Sequence, residues 1–132
     1  MIKLPGKALT NSDILKYASI LKIPNFRGVF MRNELPKTGP FLKEAAIINL
    51  DNKEGPGSHW VAYKKNGKKI QYFDSFGNVR PPIDLNEYFG EEKINYNYKK
   101  YQDFNTFICG HLCLKFLCNQ LQRKDKFSLI KN

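Results

Sequence analysis

Cys109 stands at the head of an apolar run, FICGHLCLKFL, whose spacing is helical. At a helix N-terminus the free backbone N–H groups and the positive end of the helix dipole stabilise a thiolate and lower a cysteine's pKa. Those same N–H groups can hold the oxyanion of a tetrahedral intermediate. Gly110 lets a substrate backbone come close, and Gln102, seven residues upstream of Cys109, is a neutral amide able to reach the same oxyanion. A nucleophile of this kind needs a base. An imidazole beside it makes the thiolate–imidazolium pair of a cysteine hydrolase. Of the two histidines, His111 sits two residues along the same helix, where side chains do not face each other, and reads as surface. His59 is the candidate base.

An acid is expected beside His59 from turn chemistry alone. His59 to Lys65 and Lys68 to Phe73 flank Asn66-Gly67, the dipeptide that favours a type I′ hairpin turn. A two-residue loop at 66 and 67 sets Lys65 opposite Lys68, Val61 opposite Tyr72 and His59 opposite Asp74. Directly opposed Cβ atoms lie roughly 4.5 to 5.5 Å apart, within reach of an imidazole–carboxylate hydrogen bond. An ionised Asp74 then fixes the imidazole tautomer and leaves the other ring nitrogen free as a base.

The elements that must position these residues follow from pattern. Thr10 with Asp13 reads as a capping box, opening a helix from Ser12 to Leu21 whose apolar residues are Ile14, Leu15, Ala18 and Leu21. Gly28 to Met31 is a short strand. Ala45 to Leu50 (AAIINL) is a short apolar run bounded by charges and turn residues, the pattern of a buried strand. After the hairpin come a loop from Phe76 to Pro82, a helix from Ile83 to Phe89 and a strand from Ile94 to Tyr98. A helix from Cys109 to about Arg123 closes the chain. One helix, several strands and a late apolar helix make an α+β domain with a mixed sheet.

The bland readings weigh on each piece. A cysteine in an apolar stretch is usually core filling, and that reading suits Cys113 and Cys118. Trp60, Phe73 and Phe76 read as packing. No paired spacing such as C-x2-C occurs, so no metal site is expected.

The chain has 132 residues, enough for one domain spanning 1–132, with no repeat or linker. Hydrophobic residues make up 42% and aromatics 14%, which argues against disorder in spite of the charge. The longest apolar runs have four residues, Ala45 to Ile48 and Trp60 to Tyr63, so no membrane-spanning helix and no secretory signal is expected. Three cysteines, all between positions 109 and 118, do not form a disulfide framework and suit a reducing intracellular compartment. The net charge of +10 is shared between the halves, eleven Lys and Arg in each, a diffuse field that favours polyanions, nucleic acid first. A merely Lys-rich surface explains the charge equally well.

In order along the chain, His59-Trp60, the segment FDSFG (Phe73 to Gly77), and Gln102 followed by Cys109-Gly110 resemble the adenovirus-type (adenain-like) cysteine proteases. These are relatives of the proteases that process ubiquitin-like proteins, and short forms occur in Maverick/Polinton-type elements and related viruses. The likeness runs from about Leu9 to Phe116. It implies a papain-like α+β fold with the nucleophile at the N-terminus of a buried helix. It also implies a cysteine endopeptidase that cleaves near small, Gly-type residues and matures viral or virus-like-element structural proteins. Cys109 then acts as nucleophile, His59 as base and acid, Asp74 as its orienting group, and Gln102 with the Cys109 N–H as the oxyanion hole. Trp60 lines a narrow substrate channel. The resemblance further implies DNA as an activator, a virion or host-nuclear location and a monomer, with no resident cofactor. Two departures stand out. The acid is Asp, as in the ubiquitin-like-protein branch, which keeps a deconjugase of such modifiers as a rival reading. No cysteine precedes Cys109, which argues against a disulfide-linked activating peptide and leaves a non-covalent cofactor or none. The remaining rival is a basic nucleic-acid-binding module with a non-catalytic protease-like fold.

Overall fold

The computed structural model of the chain describes residues 3–51, 59–90, 92–101 and 107–119. Among them are three helices, α1 (Asn11–Ile20), α2 (Ile83–Phe89) and α3 (Cys109–Leu117). Five strands accompany them: β1 (Phe26–Met31), β2 (Lys43–Asn49), β3 (Trp60–Asn66), β4 (Lys69–Phe73) and β5 (Ile94–Tyr96). The strands form one sheet in the order β1-β2-β3-β4-β5. The outer pairs β1–β2 and β4–β5 are parallel and the inner pairs antiparallel, so the sheet is mixed and open. The α+β expectation holds.

Local chemistry accounts for the helix ends. Thr10 Oγ1 accepts from the Asp13 N–H at 3.1 Å and the Asp13 carboxylate accepts from the Thr10 N–H at 3.0 Å, a reciprocal capping box. Helix α2 occupies the expected residues. Helix α3 ends at Leu117, and Asn119 turns left-handed at φ 57°, a conformation common just past a helix end. The expected extension to Arg123 runs beyond the described residues.

Both faces of the sheet are covered. Ile14 and Ala18 of α1 pack with Cys113, Leu114 and Phe116 of α3 against Ala45, Ile47, Ala62 and Phe73. On the other face Leu85 and Phe89 of α2 meet Ala46, Ile48, Val61, Tyr63, Ile70 and Tyr72. Strand β2 lies between these layers, and its residues Glu44 to Asn49 are all buried. That explains its unbroken apolar run.

The hairpin register differs from the expected one. Asn66 pairs with Lys69, Tyr63 with Tyr72 and Ala62 with Phe73, so Gly67 and Lys68 form the turn. A type I′ turn at 66 and 67 needs both residues left-handed, but only Gly67 is, at φ 63°. Glycine at the first central position is the type II′ arrangement, which moves the turn one residue along. The register therefore slides by two residues, and every side chain keeps its face. His59 and Asp74 are not directly opposed. Asp74 lies just past the last ladder pair, Ala62–Phe73, as a diagonal neighbour of His59.

Candidate active site

Strand β3 starts, β4 ends and α3 begins at one end of the sheet, and His59, Asp74 and Cys109 meet there. His59 Nε2 donates to Asp74 Oδ1 at 2.8 Å, with little of either side chain exposed. Diagonal cross-strand neighbours remain within reach of long side chains. The contact expected from the wrong register is thus made in the right one.

Asp74 is held from behind. Its backbone N–H donates to Asn97 Oδ1 at 2.9 Å, and Asn97 Nδ2 donates to its carbonyl at 2.7 Å and to the Lys99 carbonyl at 3.0 Å. Asn97 is itself buried. The Phe76 N–H donates to Asp74 Oδ1 at 2.9 Å, and the Gly77 N–H to the Asp74 carbonyl, closing a tight turn. Gly77 is left-handed at φ 79°, and a Cβ there would lie 2.6 Å from backbone atoms of Lys99 and Lys100. Only glycine fits. The Phe76 ring stacks on the imidazole with centroids 4.2 Å apart and planes 6° from parallel.

Cys109 is the first residue of α3 and is buried beneath His59. The imidazole and the backbone N–H groups of Trp60 and Gly110 lie near its sulfur and act on its ionisation. Because Asp74 occupies Nε2, the ring presents Nδ1 to the sulfur. Burial pushes the Cys109 thiol up, but the hydrogen bond from His59 and the two N–H groups outweigh it and hold the thiol below its ordinary value. Burial likewise pulls His59 down, yet its bonds to Asp74 and Cys109 prevail and raise it to about 9. Both shifts favour the thiolate–imidazolium pair. Among the described residues no side chain caps the α3 N-terminus at Ile108, and N–H groups at a helix start can serve a thiolate or a developing oxyanion.

The remaining site residues divide. Trp60 Nε1 donates to the Leu9 carbonyl at 3.0 Å, and the ring packs against the α1–α3 side of the core. A Cβ at Gly110 would sit 3.3 Å from Leu9 and from Trp60 Cδ1, so the glycine leaves room for those two residues rather than for a substrate on that side. Gln102 lies outside the described residues. His111 is not a surface residue: it is half-buried, and its Nε2 donates to the Pro5 carbonyl at 2.6 Å, tying the N-terminal segment to α3. Cys113 is fully buried, and burial raises its thiol well above the ordinary value, as core filling requires. Sequence reasoning missed Asn97, whose partner lies 23 residues away, and gave Phe76 no more than packing. The FDSFG turn was the available signal for Phe76.

No group of three or more His, Cys, Asp or Glu side chains converges among the described residues as a metal site. Scanned against models of known protein families, the chain matches none. A search of curated proteins finds no match either.

Proposed function

We propose that this chain is a cysteine endopeptidase with a papain-like, adenain-like fold. The observation that carries the reading is one imidazole bonded to buried Asp74 and electrostatically coupled to Cys109 at a helix start. The Cys109 thiolate attacks the scissile carbonyl carbon, and the oxyanion is met by backbone N–H groups at the start of α3, with Gln102 as the second donor. The His59 imidazolium gives its proton to the leaving amine as the C–N bond breaks. Neutral His59 then takes a proton from water, which attacks the thioester. The C–S bond breaks, the acid product leaves and the thiolate–imidazolium pair is restored. Asp74 keeps the imidazole oriented and stabilises its charged form.

Substrates on this reading are proteins with small, Gly-type residues near the scissile bond, the structural proteins of a virus or virus-like element. Trp60 borders the approach to Cys109. Gly110 contributes through its backbone N–H, which helps to lower the Cys109 thiol. The charge of +10 supports DNA as an activating partner, in a virion or host nucleus, with the protease a monomer and any peptide cofactor held non-covalently.

Cleavage of a fluorogenic Leu-Xaa-Gly-Gly peptide panel, with and without DNA, tests the reading. Wild type should turn over and Cys109→Ala should lose about five to six orders of magnitude in kcat while melting at the same temperature. Retained turnover in the variant would refute the assignment. A ubiquitin-like-modifier probe that labels Cys109 when the peptides fail would move the substrate to such modifiers, a choice that Asp rather than Glu at position 74 also fits.

A further inference from the structure

Cys109 opens α3 beside the first residue of β3. At the far end of both elements, the same sheet face opens into a groove of about 330 Å³. Lys43, Lys64, Lys65 and Lys69 line it, together with the amides of Gln71 and Asn119. The register explains the crowding. Lys43 pairs with Asn66 and Asn66 with Lys69, while Lys64 stands between Ala45 and Gln71 in the next row. Alternate residues of a strand share a face, so Lys43, Lys64 and Lys69 project from one face of three adjacent strands.

Sheets ordinarily balance such neighbours with opposite charge, since like charges close together destabilise. Among the described residues the balance is missing. The acid that borders the groove, Glu44, turns its carboxylate to the other face, where Arg27, Tyr63 and Tyr88 take it up. Among the described residues none of the four lysines forms an ion pair. Lys64 Nζ donates to Asn119 Oδ1 at 2.8 Å and lies 4.5 Å from the Phe116 ring centroid, which fixes its position but not its charge. Burial, then the nearby Lys69, lowers its pKa, and Cys118 opposes them only in part.

The volume is at the small end for ligand sites, too small for a folded partner and suited to a compact ligand. Ammonium groups meet phosphate oxygens as point charges, and the groove's amides add uncharged donors. We infer that this groove binds a compact polyphosphate, either a free small polyphosphate or the phosphates of a nucleic-acid backbone, through Lys43, Lys64 and Lys69. The site is separate from Cys109 and stands or falls independently of the hydrolase reading.

Inorganic tripolyphosphate titrated into the full chain at low salt is the test, read by calorimetry and by Tm. Wild type should bind with one-site behaviour and gain thermal stability by mass action. Lys43→Gln/Lys69→Gln, which alters exposed side chains only, should weaken binding by about tenfold or more. Lys16→Gln/Lys37→Gln removes the same charge at exposed positions outside the groove lining and should stay within about twofold of wild type. Equal losses in the two variants would overturn the inference, because a diffuse field would then be the attractant. Absence of binding to wild type, or tighter binding of poly-glutamate than of tripolyphosphate, would overturn it too. A short DNA duplex that displaces tripolyphosphate from wild type assigns the groove to a nucleic-acid backbone. Failure to displace it assigns the groove to a free polyphosphate. Circular dichroism and the single Lys69→Gln variant check that losses come from binding and not from misfolding.

Discussion

Glu44 and Asp74 are both carboxylates with about 1% of their surface exposed, and each is bonded to a basic side chain. Their surroundings differ. Glu44 accepts from Arg27 Nη1 at 3.0 Å, from the Phe41 N–H at 2.7 Å, and from the hydroxyls of Tyr63 and Tyr88. Arg27 goes on to the Gly39 carbonyl and Thr38 Oγ1, with Phe41 stacked on its guanidinium at 3.7 Å. The group pins the β1–β2 connection to the sheet. Desolvation pushes the Glu44 carboxyl up, but the bonds it accepts outweigh that and hold it below its ordinary value. Every partner of Glu44 holds its proton through the physiological range, and an arginine never gives one up. Asp74 holds a histidine whose other nitrogen faces a thiol. A buried carboxylate marks function when its partner can lose a proton and has somewhere to send it.

Replacing Asp74 by Asn should widen the contrast most. The amide keeps the shape but presents the wrong hydrogen-bonding group to His59 Nε2, and turnover should fall by about four orders of magnitude. Thermal stability should change little, because Asn97 and the Gly77 turn hold this segment through its backbone. Peptidase assays alongside a melting curve check both halves. A near-wild-type rate would mean that His59 is not oriented by Asp74.

Glu44→Ala should produce the reverse pattern. It leaves the half-buried Arg27 without its carboxylate and the buried Tyr63 hydroxyl without its acceptor, a loss of about 1 to 3 kcal/mol in stability. Turnover per folded molecule should stay within a fewfold of wild type, since the partners of Glu44 are Arg27, Phe41, Tyr63 and Tyr88 and not His59, Asp74 or Cys109. The folded-state pKa of Glu44 lies below its ordinary value of 4.5. Its contribution is therefore present above pH 4.5 and is lost as pH falls through the lowered value. The variant should show a shallower acid limb in denaturant titrations, and an unchanged limb would remove Glu44 from that role.

Much of this contrast was legible in advance at one pole and almost none at the other. The Thr10–Asp13 box, the run in β2 and the bounds of α2 are local signals, set by residues three or four apart or by one stretch of burial. Cys109 at a helix start and an acid near His59 were equally local, because a hairpin brings sequence neighbours together. The register was missed because Asn-Gly predicts a turn position through backbone angles, and Asn66 does not adopt the angle required. A slide of two residues preserved the side-chain faces, which is why the His59–Asp74 contact survived the error. The Glu44 cluster had no such signal. Its partners lie 17, 19 and 44 residues away along the chain, and only the sheet brings them together.

The pH dependence of turnover sharpens the catalytic side. Activity should rise as Cys109 loses its proton below the ordinary thiol value of 9.0, and fall as His59 loses its own near 9. Asp74→Asn removes a charge that raises His59, so the alkaline limb of its residual activity should move to lower pH by about one unit or more. Glu44→Ala should leave that limb in place. A limb that moves equally in both variants would trace it to global unfolding, not to His59.

The smallest effect belongs to Phe76. Its ring lies parallel to the His59 imidazole at 4.2 Å, on a residue whose N–H also bonds Asp74. An aromatic pair in this arrangement contributes about 0.5 to 1.5 kcal/mol beyond the area it buries. Phe76→Leu keeps the apolar cover and the backbone bond but loses the flat face that sets the ring plane. Because the imidazole must serve both Asp74 and Cys109 from one orientation, kcat should drop by about two- to tenfold with KM nearly unchanged. Phe76→Tyr, which keeps the face, should restore it. A KM rise with constant kcat would instead place Phe76 against the substrate, and its stacking on His59 would then be cover for the imidazole and no part of its alignment.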